Sequence, residues 1–518
     1  MAKRKRETAG KGQNNKRTAR GKAKNKASKM EAYEELLVWA KDKGIILNGV
    51  EPRRILGRGM GIVATKPLKE NQTILTIPSN TLRTYETVHP SIACALPDIS
   101  IHGLLAADLA FDPSPSVKYQ QWNAVCPTRE DVWDSLPLAW DCRLREFLPK
   151  KALELLLKQE AKFEKDWSMV QQSKLLSPKS GEKEDESSEE EEGQKLNKTI
   201  TRDDYLYAWL LVNTRTFYHE TPKTKKFKKE DKMVLQPVAD LFNHTSYDPS
   251  AEEKEGGNKK TCSVAFSPTA FTITTTRPYS AGEEVYICYG NHSNDFLLIE
   301  YGFLFDENVW DEVCIDDAIL PLLEKFQLPP LTTQPPKKPA RRLNERGKKD
   351  PKSQSTEKQP PKFPKDLLEE TGFLGNYNLD PRNPTGCYRT QVALRAISAL
   401  SSSSSSSSSS LTSPQAQQGE KKFRAFVDYG QDPWEESPEE QAKLNAMLAQ
   451  ALRQWSGDVV GKNMKVLEGL GNLECRQGRE GEGEGEGVVG RECHRDTLLM
   501  RWRQVGRMVD RALEELEG

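Results

Sequence analysis

Two apolar segments that end in polar residues constrain the fold of this chain more than any other feature. Residues 236–245 read Gln-Pro-Val-Ala-Asp-Leu-Phe-Asn-His-Thr, so Asn243 and His244 directly follow a hydrophobic run. Further along, residues 283–290 read Glu-Glu-Val-Tyr-Ile-Cys-Tyr-Gly and form a second strand-like run. Because such apolar runs are buried, the polar residues at their ends lie at the margin of a core. We therefore expect the fold to bring both segments together with the glycine cluster at 57–61.

That glycine cluster does not match a nucleotide-binding loop. It reads Gly-Arg-Gly-Met-Gly and is followed by Ile-Val-Ala-Thr, which is typical of a strand, whereas a dinucleotide fingerprint opens a helix. A P-loop ends in Gly-Lys-Ser or Gly-Lys-Thr, and this run does not. Because glycine has no Cβ, the cluster predicts either a plain turn or a backbone that another group approaches closely.

The periodicity of the apolar residues predicts a mixed architecture. Short strands with tight turns are expected over 45–82 and again over 261–289, where 263–266 and 271–275 resemble a hairpin. Helices are expected over 100–170 and over 201–219, the second capped by Thr201. Beyond residue 318, helical patterns alternate with tracts rich in Pro and Lys, in Ser, or in Gly and Glu, which are linkers by composition.

The distribution of charge limits the possible partners and the cellular location of the protein. The net charge is zero, yet residues 1–29 hold twelve Lys and Arg against one acid, which predicts a disordered basic tail. The tail is expected to act as a nuclear localisation signal that binds an import receptor, as a loose contact with RNA, or as a solubilising segment.

Nine cysteines without a C-x-x-C pair or a secretory signal favour reduced thiols in the nucleus or cytoplasm. A zinc site needs two close ligand pairs, and Cys493-His494 stands alone, so no metal is expected. No stretch approaches the roughly 20 apolar residues of a membrane span.

The order of the motifs resembles that of the SET-domain methyltransferases. A glycine cluster before a strand, Asn-His after an apolar run, and Gly-Glu-Glu-Val-x-Ile-x-Tyr-Gly at 282–290 occur in that order. The passages 213–217 and 294–303 resemble one branch, the Rubisco large-subunit and ribosomal-protein lysine methyltransferases. The resemblance implies an α+β protein: a SET β-fold split by a helical insert and followed by an all-helical substrate-binding domain.

We therefore predict a disordered tail over 1–29, a SET domain over 30–318 with its insert at about 95–235, and a helical domain over 319–518. The predicted linkers are 173–198, 329–364, 401–420 and 476–490.

The resemblance also implies S-adenosylmethionine as the methyl donor. Arg58 and Met60 would contact the donor from the glycine cluster, and Asn243 and His244 would hold its amino-acid part. Arg215 would pair with the donor carboxylate, which suits a guanidinium.

The same resemblance makes Tyr289 the catalytic tyrosine, also in contact with the donor. Tyr301 would be the second hydroxyl of a lysine channel lined by Phe217 and Tyr286. A lysine ammonium, with an ordinary pKa of about 10.4, must lose a proton before it can attack. An apolar channel and the positive sulfonium both lower that pKa. Whether Tyr289 removes the proton or only orients the amine is left open.

Each residue also has a plain structural interpretation. Tyr286 and Tyr289 are equally compatible with a packed strand, His244 with a histidine bonded to backbone, and Arg215 with an ion pair.

The predicted function is a protein-lysine N-methyltransferase acting on a non-histone protein, with a ribosomal protein favoured by family analogy. Ser246 stands where many SET proteins have a cysteine, which argues against a typical histone enzyme. The aromatic Phe217 favours an alkyl ammonium over the imidazole that one relative in this branch methylates. The alternatives are a catalytically silent SET-fold partner-binding protein, a protein-histidine or histone-lysine methyltransferase, and an RNA-associated factor.

Overall fold

The computed structural model describes residues 32–111, 119–176, 199–246, 261–325, 364–401, 414–430, 437–470 and 492–518. The predicted tail 1–29 and the linker 476–490 lie outside these residues, as do nearly all of 329–364 and most of 173–198. Within the described ranges no helix combines the length and the apolar character needed to cross a membrane.

The described residues belong to two compact units. The first comprises Met1–Trp310 with Asn472–Thr497, and the second comprises Asp311–Gly471 with Leu498–Gly518. The division falls eight residues before the boundary that we predicted after residue 318. Asn472–Thr497 belongs to the first unit, whereas the sequence prediction assigned it to the C-terminal domain. The earlier division has a physical reason, because Val313–Cys314 already pairs with Asn378–Leu379 of the second unit.

Small antiparallel sheets form the β part of the first unit. The strands are β1 (Ile46–Leu47), β2 (Val50–Ile55), β3 (Gly59–Ala64), β4 (Thr73–Pro78), β5 (Thr216–Tyr218), β6 (Met233–Leu235), β7 (Ser263–Phe266), β8 (Ala270–Thr274) and β9 (Glu284–Val285). One sheet has the order β1-β4-β8-β7, a second has β2-β3-β9, and β5 pairs with β6. The predicted hairpin is confirmed as β7 and β8, in register from Ser263↔Thr274 to Phe266↔Phe271.

The glycine cluster forms the tight turn between β2 and β3. Gly57 and Gly59 have φ angles of 78° and 76°, which side chains with a Cβ rarely adopt. The ladder runs from Val50↔Ala64 to Ile55↔Gly59, so the turn places Arg58 at its tip.

Helices form the insert, and further helices precede and follow it in the chain. The helices of the first unit are α1 (32–42), α2 (Pro90–Ala95), α3 (Ile101–Phe111), α4 (Gln120–Asn123), α5 (Arg129–Ser135), α6 (Cys142–Arg145), α7 (Lys150–Gln172), α8 (Arg202–Arg215) and α9 (Asn294–Tyr301). The predicted cap of α8 is confirmed, because Thr201 Oγ1 accepts from the Asp204 backbone N–H at 3.1 Å. The fully buried side chains of Phe163, Tyr205 and Trp209 fill the space between α7 and α8.

In its described residues the second unit is helical apart from one two-residue ladder. Its elements are β10 (Val313–Cys314), α10 (Asp316–Glu324), α11 (Pro364–Glu370), β11 (Asn378–Leu379), α12 (Tyr388–Ser401), α13 (Pro414–Tyr429), α14 (Pro438–Trp455), α15 (Lys462–Gly469) and, reaching in from the first unit, α16 (Glu492–Glu517). The predicted linker 401–420 is corrected at its end, because α13 begins at Pro414. Phe423 and Phe426 anchor that helix in the core, being 0% and 7% exposed.

Candidate active site

Backbone hydrogen bonds join the two segments on which the sequence prediction rests. Ile287 N–H donates to the Asn243 carbonyl at 3.1 Å, and Thr245 N–H donates to the Ile287 carbonyl at 3.0 Å. On the other side, Cys262 N–H donates to the Tyr286 carbonyl at 2.9 Å. The 284–287 segment therefore runs between 243–245 and Cys262, and the predicted approach of the two motifs is confirmed.

A polar cluster links the glycine turn to Asn243. The Glu284 carboxylate accepts from Asn243 Nδ2 at 2.8 Å and from the Tyr286 hydroxyl at 2.6 Å. Arg58 Nη1 lies 3.1 Å from the same carboxylate and donates to the Tyr286 oxygen at 2.9 Å. The Glu284 side chain is 11% exposed, whereas that of Arg58 is 56% exposed. Three predicted site residues are thus brought together around a carboxylate that the sequence analysis left without a role.

Gly61 lets the backbone of β3 approach this cluster. A Cβ at position 61 would lie 2.8 Å from Asn243 Nδ2 and from Glu284 Oε1, and 2.4 Å from Ile55 Cδ1. A side chain at position 61 would therefore have to displace the ends of the Ile55, Asn243 and Glu284 side chains. Both alternatives predicted for the glycine cluster are therefore present. The close approach occurs at Gly61, and the turn is formed at Gly57 and Gly59.

His244 supports the backbone of the second motif. Its Nδ1 accepts from the Tyr289 N–H at 3.0 Å, and the two rings stack at 5.0 Å and 26°. Burial lowers the pKa of His244 to about 4, and the neighbouring His292 acts in the same direction. A neutral imidazole keeps the lone pair on Nδ1 that this hydrogen bond requires.

Tyr289 and Tyr301 form an aromatic pair beside His244. Their ring centroids are 5.0 Å apart at 41°. The Tyr289 hydroxyl donates to the Phe242 carbonyl at 2.6 Å. Burial raises the pKa of Tyr289 well above its usual value and that of Tyr301 to about 12, so both hydroxyls are neutral at physiological pH. Tyr301 ends α9, and Asn213 Nδ2 fixes that end by donating to the Glu300 carbonyl at 2.9 Å.

Arg215 lies in a buried ion pair. Its Nη1 is 2.7 Å from Asp240 Oδ2 and also donates to the Asp240 carbonyl at 3.2 Å. Trp122 Nε1 donates to the same Oδ2 at 2.9 Å. Asp240 is fully buried and Arg215 is 15% exposed. The ion-pair interpretation that the sequence left open is present, whereas Arg215 Nε is buried without a hydrogen-bond partner among the residues that the structure describes.

The structure does not bring every predicted residue to the tyrosine pair. Phe217 in β5 packs edge-on against Phe271 at 5.4 Å, and within the described ranges its ring contacts neither Tyr289 nor Tyr301. Met60 lies in β3 opposite Arg54, partly exposed.

Sequence reasoning missed Glu284, Asp240 and Trp122. Glu284 and Asp240 stood inside the quoted motifs, and an acid within an otherwise apolar run is itself a signal, because a buried carboxylate requires a partner. Trp122 gave no signal, since its hydrogen bond to Asp240 joins residues 118 positions apart.

Buried histidines predict a pH-dependent stability. Burial lowers the pKa of His102 and of His244 to about 4, from an ordinary value of 6.5. Between pH 6.5 and 4 the unfolded chain binds protons that the folded chain does not, so the free energy of unfolding falls as the pH is lowered through this window. Urea unfolding at pH 7 and at pH 5 should show this loss, and His102→Gln should reduce it. His89→Gln, at the start of α2, is the control, and an equal loss in His102→Gln and wild type would contradict the assignment.

Comparisons with known proteins agree with this geometry. Residues 59–290 match the family model of the SET domain. Human SET domain-containing protein 4 is 27% identical over 307 residues, covering 57% of this chain and 63% of the relative. Ribosomal lysine N-methyltransferase set11 of Schizosaccharomyces pombe is 24% identical, with 54% of this chain and 63% of the relative covered. Actin-histidine N-methyltransferase of Danio rerio is 23% identical, with 55% and 44% covered. The chain thus spans less than two thirds of the length of these relatives.

The fold also has solved counterparts. Structures of Rubisco LSMT bound to AdoMet, and of the SET domain of LSMT bound to lysine and AdoHcy, each give a TM-score of 0.52 at 17% identity. They cover 94% of this chain, and 91% and 93% of their own. Residues 59–290 of this chain are therefore similar to a SET domain, and the chain has the fold of the Rubisco LSMT structures.

Proposed function

We propose that this chain is a protein-lysine N-methyltransferase that uses S-adenosylmethionine and acts on a non-histone protein. The observation that carries the proposal is the tyrosine pair. Tyr289 and Tyr301 present two neutral hydroxyls in an aromatic setting, directly beside the cluster built on Asn243. Two neutral hydroxyls in such a setting suit an amine that must be uncharged and oriented.

The residues around Asn243 fit the methyl donor. Arg215 uses Nη1 for Asp240 and keeps Nε buried without a partner in the described part of the chain, which suits the donor carboxylate. Asn243 and the turn at Arg58 would hold the rest of the donor, and Gly61 keeps the intervening backbone free of a side chain. When bound, the donor supplies a sulfonium methyl group.

The Tyr289 hydroxyl is arranged to orient an amine and not to deprotonate it. Its proton is directed to the Phe242 carbonyl, so the oxygen lone pairs remain to accept an amine N–H. The raised pKa of Tyr289 disfavours a phenolate that would act as a base. The apolar surroundings lower the pKa of an incoming lysine, because they desolvate its ammonium. Much of the rate enhancement would then come from positioning and electrostatics.

The substrate is proposed to be a component of the translation machinery, such as a ribosomal protein. Support comes from relatives such as the ribosomal lysine N-methyltransferase set11, which is an argument from analogy. Methylation of histidine is the second candidate, because an actin-histidine methyltransferase is also a relative. The aromatic Phe217, whose ring packs edge-on against Phe271, supports lysine over histidine as the target. We propose a nuclear or cytoplasmic location.

Methyl transfer from labelled S-adenosylmethionine into lysate proteins tests the function. Wild type should label at least one protein, and Asn243→Ala should not. Hydrolysis of the labelled protein should release methyl-lysine. Release of methyl-histidine would instead show that the chain methylates histidine, the second candidate. Calorimetric titration with the donor separates a silent SET-fold protein from an enzyme, because the silent protein would give no binding heat. Equal labelling by wild type and Asn243→Ala would overturn the site assignment.

Glu284→Gln is expected to weaken donor binding by about tenfold, which matches roughly 1.5 kcal/mol for a hydrogen bond to a charged group. The amide oxygen can still accept from Asn243, but the attraction for the Arg58 guanidinium is lost. Donor affinity is measured by calorimetry, at low and at high salt. Wild-type affinity should fall more steeply with salt than that of the variant, since Arg58 is largely exposed.

Glu283→Gln is the matched control for this measurement. Glu283 precedes Glu284 but pairs with Arg277 at 2.6 Å and accepts from Ser280 N–H at 2.9 Å, away from Asn243. Its replacement should leave donor affinity unchanged. Equal affinities for Glu284→Gln and Glu283→Gln would show that Glu284 does not position the donor site.

A further inference from the structure

Three side chains with metal-binding atoms, none of them a residue of the candidate active site, meet in the first unit. Cys493 and His494 occupy the first turn of α16, and Asp134 lies near the end of α5. An oxygen of Asp134, the sulfur of Cys493 and a ring nitrogen of His494 all lie within 4.8 Å of one another. In the sequence Cys493-His494 stood alone, because the third residue is 359 positions away from Cys493.

The spacing of two of the donor atoms fits a shared ion. Cys493 Sγ lies 3.6 Å from Asp134 Oδ1. Zinc binds thiolate sulfur at about 2.3 Å and carboxylate oxygen at about 2.0 Å, which gives a tetrahedral edge of about 3.5 Å. The sulfur and oxygen are therefore already at the separation that one tetrahedral ion would impose, so binding requires little movement of these two groups.

His494 is held in place by its surroundings. Its side chain stacks on Trp140 at 4.7 Å and 19°, and the residue is 5% exposed. Its Nε2 lies 2.9 Å from the Trp133 carbonyl. A carbonyl only accepts, so Nε2 carries the proton and Nδ1 carries the lone pair of the neutral ring. Histidines that bind metals are commonly oriented in this way, through a hydrogen bond from the other ring nitrogen to a carbonyl or carboxylate.

We propose that Asp134, Cys493 and His494 form a zinc site, with water as the fourth ligand. Thiolate and imidazole select zinc over magnesium or calcium, which prefer oxygen ligands. On binding, a zinc–sulfur bond forms and the Cys493 thiol releases its proton to water. One thiolate and one carboxylate then balance the two positive charges of the ion. The ion would join the first turn of α16 to the end of α5.

The test is a titration of the tag-free full chain, stripped with chelator and kept reduced, with Co²⁺ alone. Wild type should develop a thiolate-to-cobalt charge-transfer band that saturates at one equivalent and is displaced by Zn²⁺. Cys493→Ser should abolish the band. Asp134→Asn should weaken Co²⁺ binding by roughly tenfold or more. Circular dichroism establishes that each variant is folded.

Cys142→Ser and Cys475→Ser are the matched controls. Cys142 is an exposed thiol elsewhere in the first unit, and Cys475 lies outside the described residues. Both controls should bind Co²⁺ as wild type does. The absence of a charge-transfer band in wild type, or a band that persists in folded Cys493→Ser, would overturn the proposal. These readouts do not depend on methyl transfer.

Discussion

Replacing Tyr289 with phenylalanine is expected to lower the rate of methyl transfer by roughly 10²- to 10³-fold, the range seen when one preorganised hydrogen-bonding group is removed from an active site. The phenylalanine ring keeps the packing against His244 and Tyr301. What disappears is the hydroxyl, which donates to the Phe242 carbonyl and which we propose accepts a hydrogen bond from the amine. Single-turnover labelling with saturating donor measures the effect, and donor affinity by calorimetry should change little.

Tyr205→Phe is the matched control for this prediction. Tyr205 is also buried and also donates to a backbone carbonyl, that of Gly103 at 3.1 Å, but it lies within the helical insert. Both variants lose one hydrogen bond of the same kind and should lose similar stability, about 1 kcal/mol. Only Tyr289→Phe should lose activity. Equal rates in the two variants would mean that the Tyr289 hydroxyl has no part in the chemistry.

The sequence predicted the first unit in some detail because its signals are local or ordered along the chain. The cap at Thr201, the hairpin of β7 and β8 and the turn at Gly57 each depend on a few neighbouring residues. The approach of 284–287 to Asn243 followed from the order of the motifs, and the backbone ladder confirms it.

The sequence could not predict which side chains the fold pairs at long range. Arg215 and Asp240 both stood within or near quoted motifs, but nothing local says that the guanidinium binds this carboxylate. Asp134 and Cys493 meet only through the packing of α16. Such pairings are set by tertiary packing, which cannot be deduced from the periodicity of the apolar residues or from the composition.

The backbone at Val238 is a further feature that sequence does not reveal. This fully buried, β-branched residue has a φ angle of 79°, which costs about 1–3 kcal/mol. It lies two residues before Asp240, whose N–H donates to the Gln236 carbonyl at 3.2 Å. The strained turn is therefore held by packing in the conformation that directs Asp240 inward.

Asp240→Ala is expected to lower the free energy of unfolding by about 3–5 kcal/mol, because it leaves the Arg215 charge buried without its partner. Trp122 Nε1 loses its acceptor in the same variant. Burial raises the pKa of the Asp240 carboxyl, and the Arg215 charge and the Trp122 hydrogen bond oppose that rise. The pair is therefore sensitive to the loss of either member. Urea unfolding at neutral pH measures the effect.

Two further variants separate the ion pair from simple loss of packing. Glu164→Ala removes an exposed partner of Arg202, with both side chains nearly half exposed, and should cost less than about 1 kcal/mol. The double variant Arg215→Met with Asp240→Leu removes both charges and should recover much of the lost stability, because no buried charge is left. It should still fail to bind the donor, since Arg215 Nε is the group proposed for the donor carboxylate. If Asp240→Ala lowered the free energy of unfolding no more than Glu164→Ala does, the Arg215 charge would be solvated in the native protein. The donor would then bind an arginine that is exposed to water, and Asp240 would not hold that arginine in place.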